Sequence, residues 1–189
     1  MVKRAFLIHG WRGYPEEGWR PWLKKELMKR GFEVQVPSMP DADNPKMGAW
    51  LAYLSEVIGA PDKDCYFVGH SLGCITTLRY LETLRENQKA GGAVLVGGFT
   101  DEVPEDEIEK ELETFFEKPI NWKKIKLHCK RFVAIHSDDD PVVSLKHADV
   151  FKEKLNAEII IEHNMKHFSS DDGITKLPSA LKAVLEISE

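Results

Sequence analysis

Six short apolar runs set the strongest limit on how this 189-residue chain can fold. They are Ala5–Ile8, Val34–Val36, Tyr66–Val68, Ala93–Val96, Phe132–Ile135 and Ile159–Ile161, and all but the second are uninterrupted. Runs of this kind suit strands covered on both faces, as in a parallel sheet. Helical patterns lie between them. Trp19, Trp22, Leu23 and Leu27 recur at three- to four-residue spacing, and Gly31 sits where that helix would stop. Asn44 and Pro45 read as the N-cap and first position of a second helix carrying Trp50, Leu51, Leu54, Val57 and Ile58 on one face. Ile75, Leu78, Leu81 and Leu84 mark a third, and later helices are expected near residues 145–155 and 176–187. This alternation predicts an α/β fold: a single domain over residues 1–189 with about six mostly parallel strands and helices on both faces. In such sheets ligands bind beyond the carboxyl ends of the strands. Those ends here are His9-Gly10, Gly69-His70-Ser71, Gly97-Gly98, His136-Ser137 and His163, so the polar chemistry is expected at one rim.

Charge and cysteine usage narrow the partners and the compartment. A formal net charge of −5 argues against a nucleic-acid or anionic-membrane surface, which needs a basic excess. Neither partner is expected. Cys65, Cys74 and Cys129 are odd in number and have no paired spacing, which fits a reducing compartment. Cys74 reads as a small buried side chain rather than a second nucleophile. The stretch Met1–Gly10 has a four-residue apolar run before His9, short of the about 7–15 residues of a signal peptide. No segment approaches the roughly 18 apolar residues of a membrane span. The expected location is the cytoplasm.

The candidate nucleophile is Ser71 in Gly69-His70-Ser71-Leu72-Gly73, directly after the strand Tyr66–Val68 and at the start of the third helix. Glycines two residues either side of the serine let strand and helix approach closely, and the sharp turn pushes the hydroxyl out of the sheet. The N–H of Leu72 is then left at a helix start, free to receive negative charge. His9-Gly10-Trp11 ends the first strand in the same way, and the N–H of Trp11 is the second candidate oxyanion donor.

A base and an acid are expected downstream, in the order serine, acid, histidine. Ser137-Asp138-Asp139-Asp140-Pro141 follows the fifth run and offers three carboxylates. Asp138 and Asp139 suit turn-forming roles or a charge at a helix start. Of the two histidines after the last strand, His167 lies in a loop before the final helix, where a general base would sit, and His163 reads as a strand-end residue. Their four-residue spacing could hold zinc on a helix, but position 164 is Asn where that motif needs Glu. No metal and no cofactor are expected.

Taken together, these residues resemble the α/β-hydrolase superfamily, and within it the small serine hydrolases that include retinoblastoma-binding protein nine. The resemblance rests on His9-Gly10-Trp11 followed by Trp19 and Trp22, on Gly69–Gly73, on Phe116–Trp122, on Ser137–Pro141 and on His167-Phe168. It implies a compact hydrolase with a minimal cap, acting on small ester or amide substrates without a cofactor. The Asp-Pro-hydrophobic-hydrophobic pattern of Asp140-Pro141-Val142-Val143 singles out Asp140 as the acid. A Leu-x-Cys-x-Glu motif is not matched, because Leu127-His128-Cys129-Lys130-Arg131 ends in arginine. The corresponding protein partner is therefore not carried over, and any protein partner stays open.

Residues 101–124 are the candidate cap. Asp101–Glu117 holds nine acidic residues and one lysine, with Ile108, Leu112, Phe115 and Phe116 at helical spacing; Lys118–Arg131 holds six Lys or Arg and no acid. Phe115, Phe116 or Trp122 would wall an acyl pocket in one reading. In the other, the segment is a helix beside the sheet with solvated charges. The expected activity is hydrolysis of small carboxylic esters, with amides or thioesters open to the same apparatus. The alternative is a catalytically weak hydrolase-fold protein that binds a protein partner.

Overall fold

The computed structural model describes residues 2–100 and 112–189. Its six strands are β1 (Arg4–Ile8), β2 (Glu33–Gln35), β3 (Cys65–His70), β4 (Gly92–Val96), β5 (Phe132–Ser137) and β6 (Glu158–Glu162). They form one sheet in the order β2-β1-β3-β4-β5-β6, every neighbouring pair parallel. Each of the six apolar runs falls on a strand of this sheet, with Val36 alone lying one residue past the end of β2. The helices are α1 (Arg20–Met28), α2 (Met47–Ile58), α3 (Leu72–Thr83), α4 (Trp122–His128), α5 (Lys146–Leu155) and α6 (Pro178–Ile187), with a further helical stretch at 112–116.

Crossovers between parallel strands are right-handed, so the direction in which the chain steps across the sheet sets the face each helix covers. The step from β1 to β2 runs one way; the steps from β2 to β3 and on to β6 run the other. Accordingly Leu23 and Leu27 of α1 pack on one face, against Ala5, Leu7, Val68 and Val94. Trp50 and Leu54 of α2, Ile75 and Leu78 of α3, Ile125 of α4 and Phe151 of α5 pack on the other, against Phe6, Ile8, Phe67 and Leu95. Helix α6 completes the first face through Ala180, Ala183 and Val184. The reversal of direction falls between β1 and β3, and this switch point leaves a crevice at their carboxyl ends.

Helix α2 starts at Met47, two residues beyond the expected Asn44-Pro45 start. Lys46 is extended, and the first N–H of the helix, that of Met47, donates to the hydroxyl of Thr114 at 3.0 Å. A distant side chain supplies the cap, so the local Asn-Pro signal does not decide the boundary. Within the expected cap, residues 101–111, Ile108 among them, lie outside the described residues. The described remainder packs beside the sheet: Leu112 and Phe115 are buried in the core. Arg79 of α3, itself buried, donates to the carbonyls of Phe115, Lys118 and Pro119 and holds that stretch in place. The three cysteines are free and buried. Among the described residues no helix is long and apolar enough to cross a membrane.

The tightest packing is where α3 passes β1. A Cβ on Gly73 would lie 2.3 Å from the carbonyl oxygen of Ile8 and 2.8 Å from that of His9, both backbone atoms. Gly73→Ala is therefore expected to lose at least ~3 kcal/mol of stability in urea unfolding. Gly48→Ala, in an exposed turn of α2 where an added Cβ meets nothing within 4 Å, should gain ~0.4–1 kcal/mol by restricting the unfolded chain.

Candidate active site

Ser71 joins β3 to α3 with φ 52° and ψ −120°, a left-handed conformation that non-glycine residues adopt at a cost of order 1–3 kcal/mol. The surroundings enforce it. The Ser71 N–H donates to the Val96 carbonyl on β4 at 2.9 Å, and the Ser71 carbonyl accepts from Cys74 N–H at 2.9 Å. Gly69 and Gly73 meet so closely that a Cβ on Gly69 would fall 2.5 Å from the carbonyl oxygen of Gly73. Gly10, at the end of β1, backs onto the serine: a Cβ there would sit 3.0 Å from Ser71 Cβ. The hydroxyl is left in a cleft of about 340 Å³.

His167 reaches Ser71 from the loop after β6. Its Nε2 lies 2.9 Å from Ser71 Oγ and its Nδ1 lies 2.9 Å from Asp140 Oδ2. A carboxylate can only accept, so Nδ1 carries the proton and Nε2 presents its lone pair to the hydroxyl. The Asp140 side chain is 1% exposed. Its second oxygen accepts the N–H groups of Val142 at 2.8 Å and Val143 at 2.9 Å. Three donors thus fix the carboxylate, and the imidazole it orients points at the serine.

The two neighbouring aspartates do different work. Asp138 pairs with the exposed His163, drawing the His163 pKa up. Asp139, read from the sequence as a turn residue, is a clamp on the loop that carries His167. One of its oxygens accepts Lys166 N–H at 2.9 Å and the Ser137 hydroxyl at 2.6 Å, and Ser137 in turn accepts Met165 N–H at 3.1 Å. The Ser137 hydroxyl first, then the Lys166 N–H, hold the Asp139 carboxyl below its ordinary pKa. This loop needs such support, because Asn164, Lys166 and Phe168 all have positive φ. Asp172 adds another hold, accepting from the N–H groups of His167 at 3.2 Å and Ser169 at 3.1 Å.

The expected oxyanion donors flank the serine. Leu72 is the first residue of α3, and Trp11 follows Gly10 into the cleft. Neither N–H has an acceptor among the described residues. His9 sets the peptide that carries the Trp11 N–H. Its Nε2 accepts Met39 N–H at 3.1 Å, so Nδ1 bears the proton and donates to the Gly10 carbonyl at 2.8 Å. In a trans peptide C=O and N–H point opposite ways, so fixing the Gly10 carbonyl on His9 turns the Trp11 N–H away from it. Burial lowers the His9 pKa and keeps the ring neutral for this role.

The apolar wall of the cleft is Phe99, Leu112, Val142 and Val143, and its mouth carries Arg12, Glu17 and Asp171. The three aromatic side chains expected to wall it lie elsewhere. Phe115 is wholly buried, edge-on to Trp50; Phe116 stacks on Phe99; Trp122 begins α4 against the core. The helical stretch 112–116 turns one face inward, so Leu112 reaches the cleft while Phe115 enters the core. Phe99, directly after the glycines that end β4, is the wall residue the sequence reading missed. Among the described residues no group of three or more His, Cys, Asp or Glu is placed to hold a metal ion.

The family described as Serine hydrolase matches residues 5–186 of this chain. The Bacillus subtilis (strain 168) protein YdeN is 33% identical over 178 residues, covering 94% of this chain and 92% of its own. Serine hydrolase RBBP9 of Rattus norvegicus is 28% identical over 156 residues, covering 82% and 80%. The solved structure of the B. subtilis ydeN gene product matches with a TM-score of 0.92 at 31% identity over 98% of both chains. Est1E from Butyrivibrio proteoclasticus matches with a TM-score of 0.75 at 14% identity, over 98% of this chain and 88% of its own; that likeness concerns the α/β-hydrolase fold alone.

Beside Asp140, near the end of β5, His136 is 1% exposed and neither ring nitrogen has a hydrogen-bond partner among the described residues. Burial, then the neighbouring His147, lower its pKa to about 4. Folded protein therefore keeps His136 neutral down to about pH 4, whereas the unfolded chain takes up the proton near pH 6.5. Between these values the unfolded state binds more protons, so stability falls as pH falls. His136→Leu should remove up to ~3 kcal/mol of that acid-dependent loss, measured as the difference in urea unfolding free energy between pH 7 and pH 4.5 for variant and wild type.

Proposed function

This chain belongs to the serine hydrolase family, and on that premise we propose that it hydrolyses small carboxylic esters through an acyl-enzyme on Ser71. His167 is the general base and Asp140 the acid that orients it. The observation that carries the reading is the unbroken row Asp140–His167–Ser71, with both hydrogen bonds at 2.9 Å and the carboxylate shielded from water.

In the proposed reaction Ser71 Oγ attacks the ester carbonyl while its proton passes to His167 Nε2. Asp140 stabilises the imidazolium that results. The N–H groups of Trp11 and Leu72 receive the charge that develops on the carbonyl oxygen. Collapse of the tetrahedral intermediate breaks the bond to the leaving alkoxide, which takes the proton from His167. A water molecule then attacks the acyl-serine, giving its proton to His167, and the acid product leaves as Ser71 regains that proton.

The size of the cleft supports a small substrate, since about 340 Å³ is at the low end for ligand sites. Its apolar wall suits an acyl chain and its charged mouth a polar leaving group. Amides and thioesters are within the same apparatus. A cytoplasmic setting is part of the proposal, supported by three free thiols.

Fluorophosphonate should label the wild type and leave Ser71→Ala unlabelled. An unlabelled but folded wild type would favour the protein-binding alternative. Asp140→Asn should reduce turnover of p-nitrophenyl acetate by ~10³–10⁴, the effect of presenting the wrong imidazole tautomer. Asp138 pairs with the exposed His163 rather than with His167, so Asp138→Asn should stay within a few-fold of wild type.

A further inference from the structure

The residue between Gly69 and Ser71 has no part in the proposed proton transfers, yet it is buried against the proposed base. His70 is 6% exposed. Its Nε2 lies 2.8 Å from the backbone carbonyl oxygen of His167, and the two rings are 5.3 Å apart, tilted by 38°. A carbonyl oxygen only accepts, so Nε2 carries the proton and Nδ1 is bare. Facing Nδ1 at 3.4 Å is Nη1 of Arg20, which only donates. Arg20 is itself 1% exposed and is held by Glu17 at 2.6 Å and the Tyr14 carbonyl at 3.2 Å. The other oxygen of Glu17 accepts the hydroxyl of Ser170 at 3.0 Å. Ser170 lies three residues past His167, so the chain of contacts closes on itself: base loop, His70, Arg20, Glu17, base loop.

We propose that His70 is a positioning residue for the hydrolysis: its ring grips the carbonyl of His167 and sets the distance from the base to Ser71, with Arg20 and Glu17 fixing the tautomer that can do so. The proposal rests on the reading of Ser71 and His167 given above. The base sits between Lys166 and Phe168, both in the left-handed region, where the backbone does not hold itself. Asp172 holds the N–H of His167 from one side, and His70 holds the carbonyl from the other. Because His70 precedes Ser71 in the chain, base and nucleophile are tied to the same rigid strand end. Burial, with the neighbouring His167 and Arg20 adding to it, keeps His70 neutral. A cation there would oppose the imidazolium that forms on His167 during turnover.

The test is p-nitrophenyl acetate kinetics and fluorophosphonate labelling of wild type, His70→Leu, His70→Asn and His70→Gln, with melting temperatures alongside. Leu has no donor and Asn is too short to reach the carbonyl, whereas the Gln amide can replace the N–H. Leu and Asn should lose ~10- to 100-fold in kcat with KM within about threefold, the signature of a displaced catalytic group. Gln should recover to within about fivefold of wild type. Asn serves as the variant that lacks the bond if Leu melts early. Wild-type kcat in the Asn variant, or a folded Gln variant as impaired as Asn, would overturn the proposal. A wild type that fluorophosphonate does not label would instead sink the hydrolase reading itself, which separates the two failures.

Discussion

The approach of α3 to the end of β1, closer than any side chain would permit, is the constraint from which the site follows. With hydrogen alone at Gly73, the helix start lies against the Ile8 and His9 carbonyls. Ser71 must then turn through a left-handed conformation to connect β3 to that helix. The turn does three things at once. It lifts the hydroxyl off the sheet, leaves the Leu72 N–H at the head of a helix, and brings Gly10 against the back of the serine. The strain is local, and it persists because Val96 and Cys74 hold the residue by its backbone on both sides.

The proposed base, His167, is held differently. The loop carrying His167 has no regular structure and three non-glycine residues with positive φ. It is fixed by side chains from elsewhere: Asp140 on the imidazole, Asp139 and Ser137 on the preceding backbone, Asp172 and His70 on the two sides of His167 itself. Trp19, from the start of α1, adds a bond from its indole N–H to the Phe168 carbonyl at 3.1 Å. Proton transfer tolerates displacements of only about 0.5 Å, and a loop cannot keep within them without such cross-bracing. The histidines reflect the same economy of position. His9, His70 and His136 are buried with lowered pKa values, whereas His163, exposed beside Asp138, is raised.

Some of this was legible in the residues alone. The apolar runs named all six strands: the inner four, β1, β3, β4 and β5, are covered on both faces and have little choice but to be apolar along their length, whereas the edge strands β2 and β6 stay partly exposed. The Gly69–Gly73 spacing told where the chain turns, because glycine at those two places answers a steric demand that acts over five residues. Less legible were the contacts made across the fold. Nothing local separates Asp139, which grips the Lys166 N–H, from Asp138, which grips an exposed histidine. Helix α2 starts two residues beyond the Asn44-Pro45 signal because its first N–H is capped by Thr114, far along the chain. Phe115 and Phe116 read as pocket walls, yet packing against Trp50 and Phe99 takes both away from the cleft.

Period and steric signature are short-range properties, and from them the sequence by itself determined the α/β class, the strand–turn–helix at Ser71 and the rim where polar groups gather. The tertiary structure alone decided what Asp138 and Asp139 grip, which side chains brace the loop of His167, and which apolar residues face the serine. Those outcomes depend on the angles at which strands and helices 25 to 150 residues apart come together, and such angles are fixed by packing of the whole sheet rather than by any neighbouring residue.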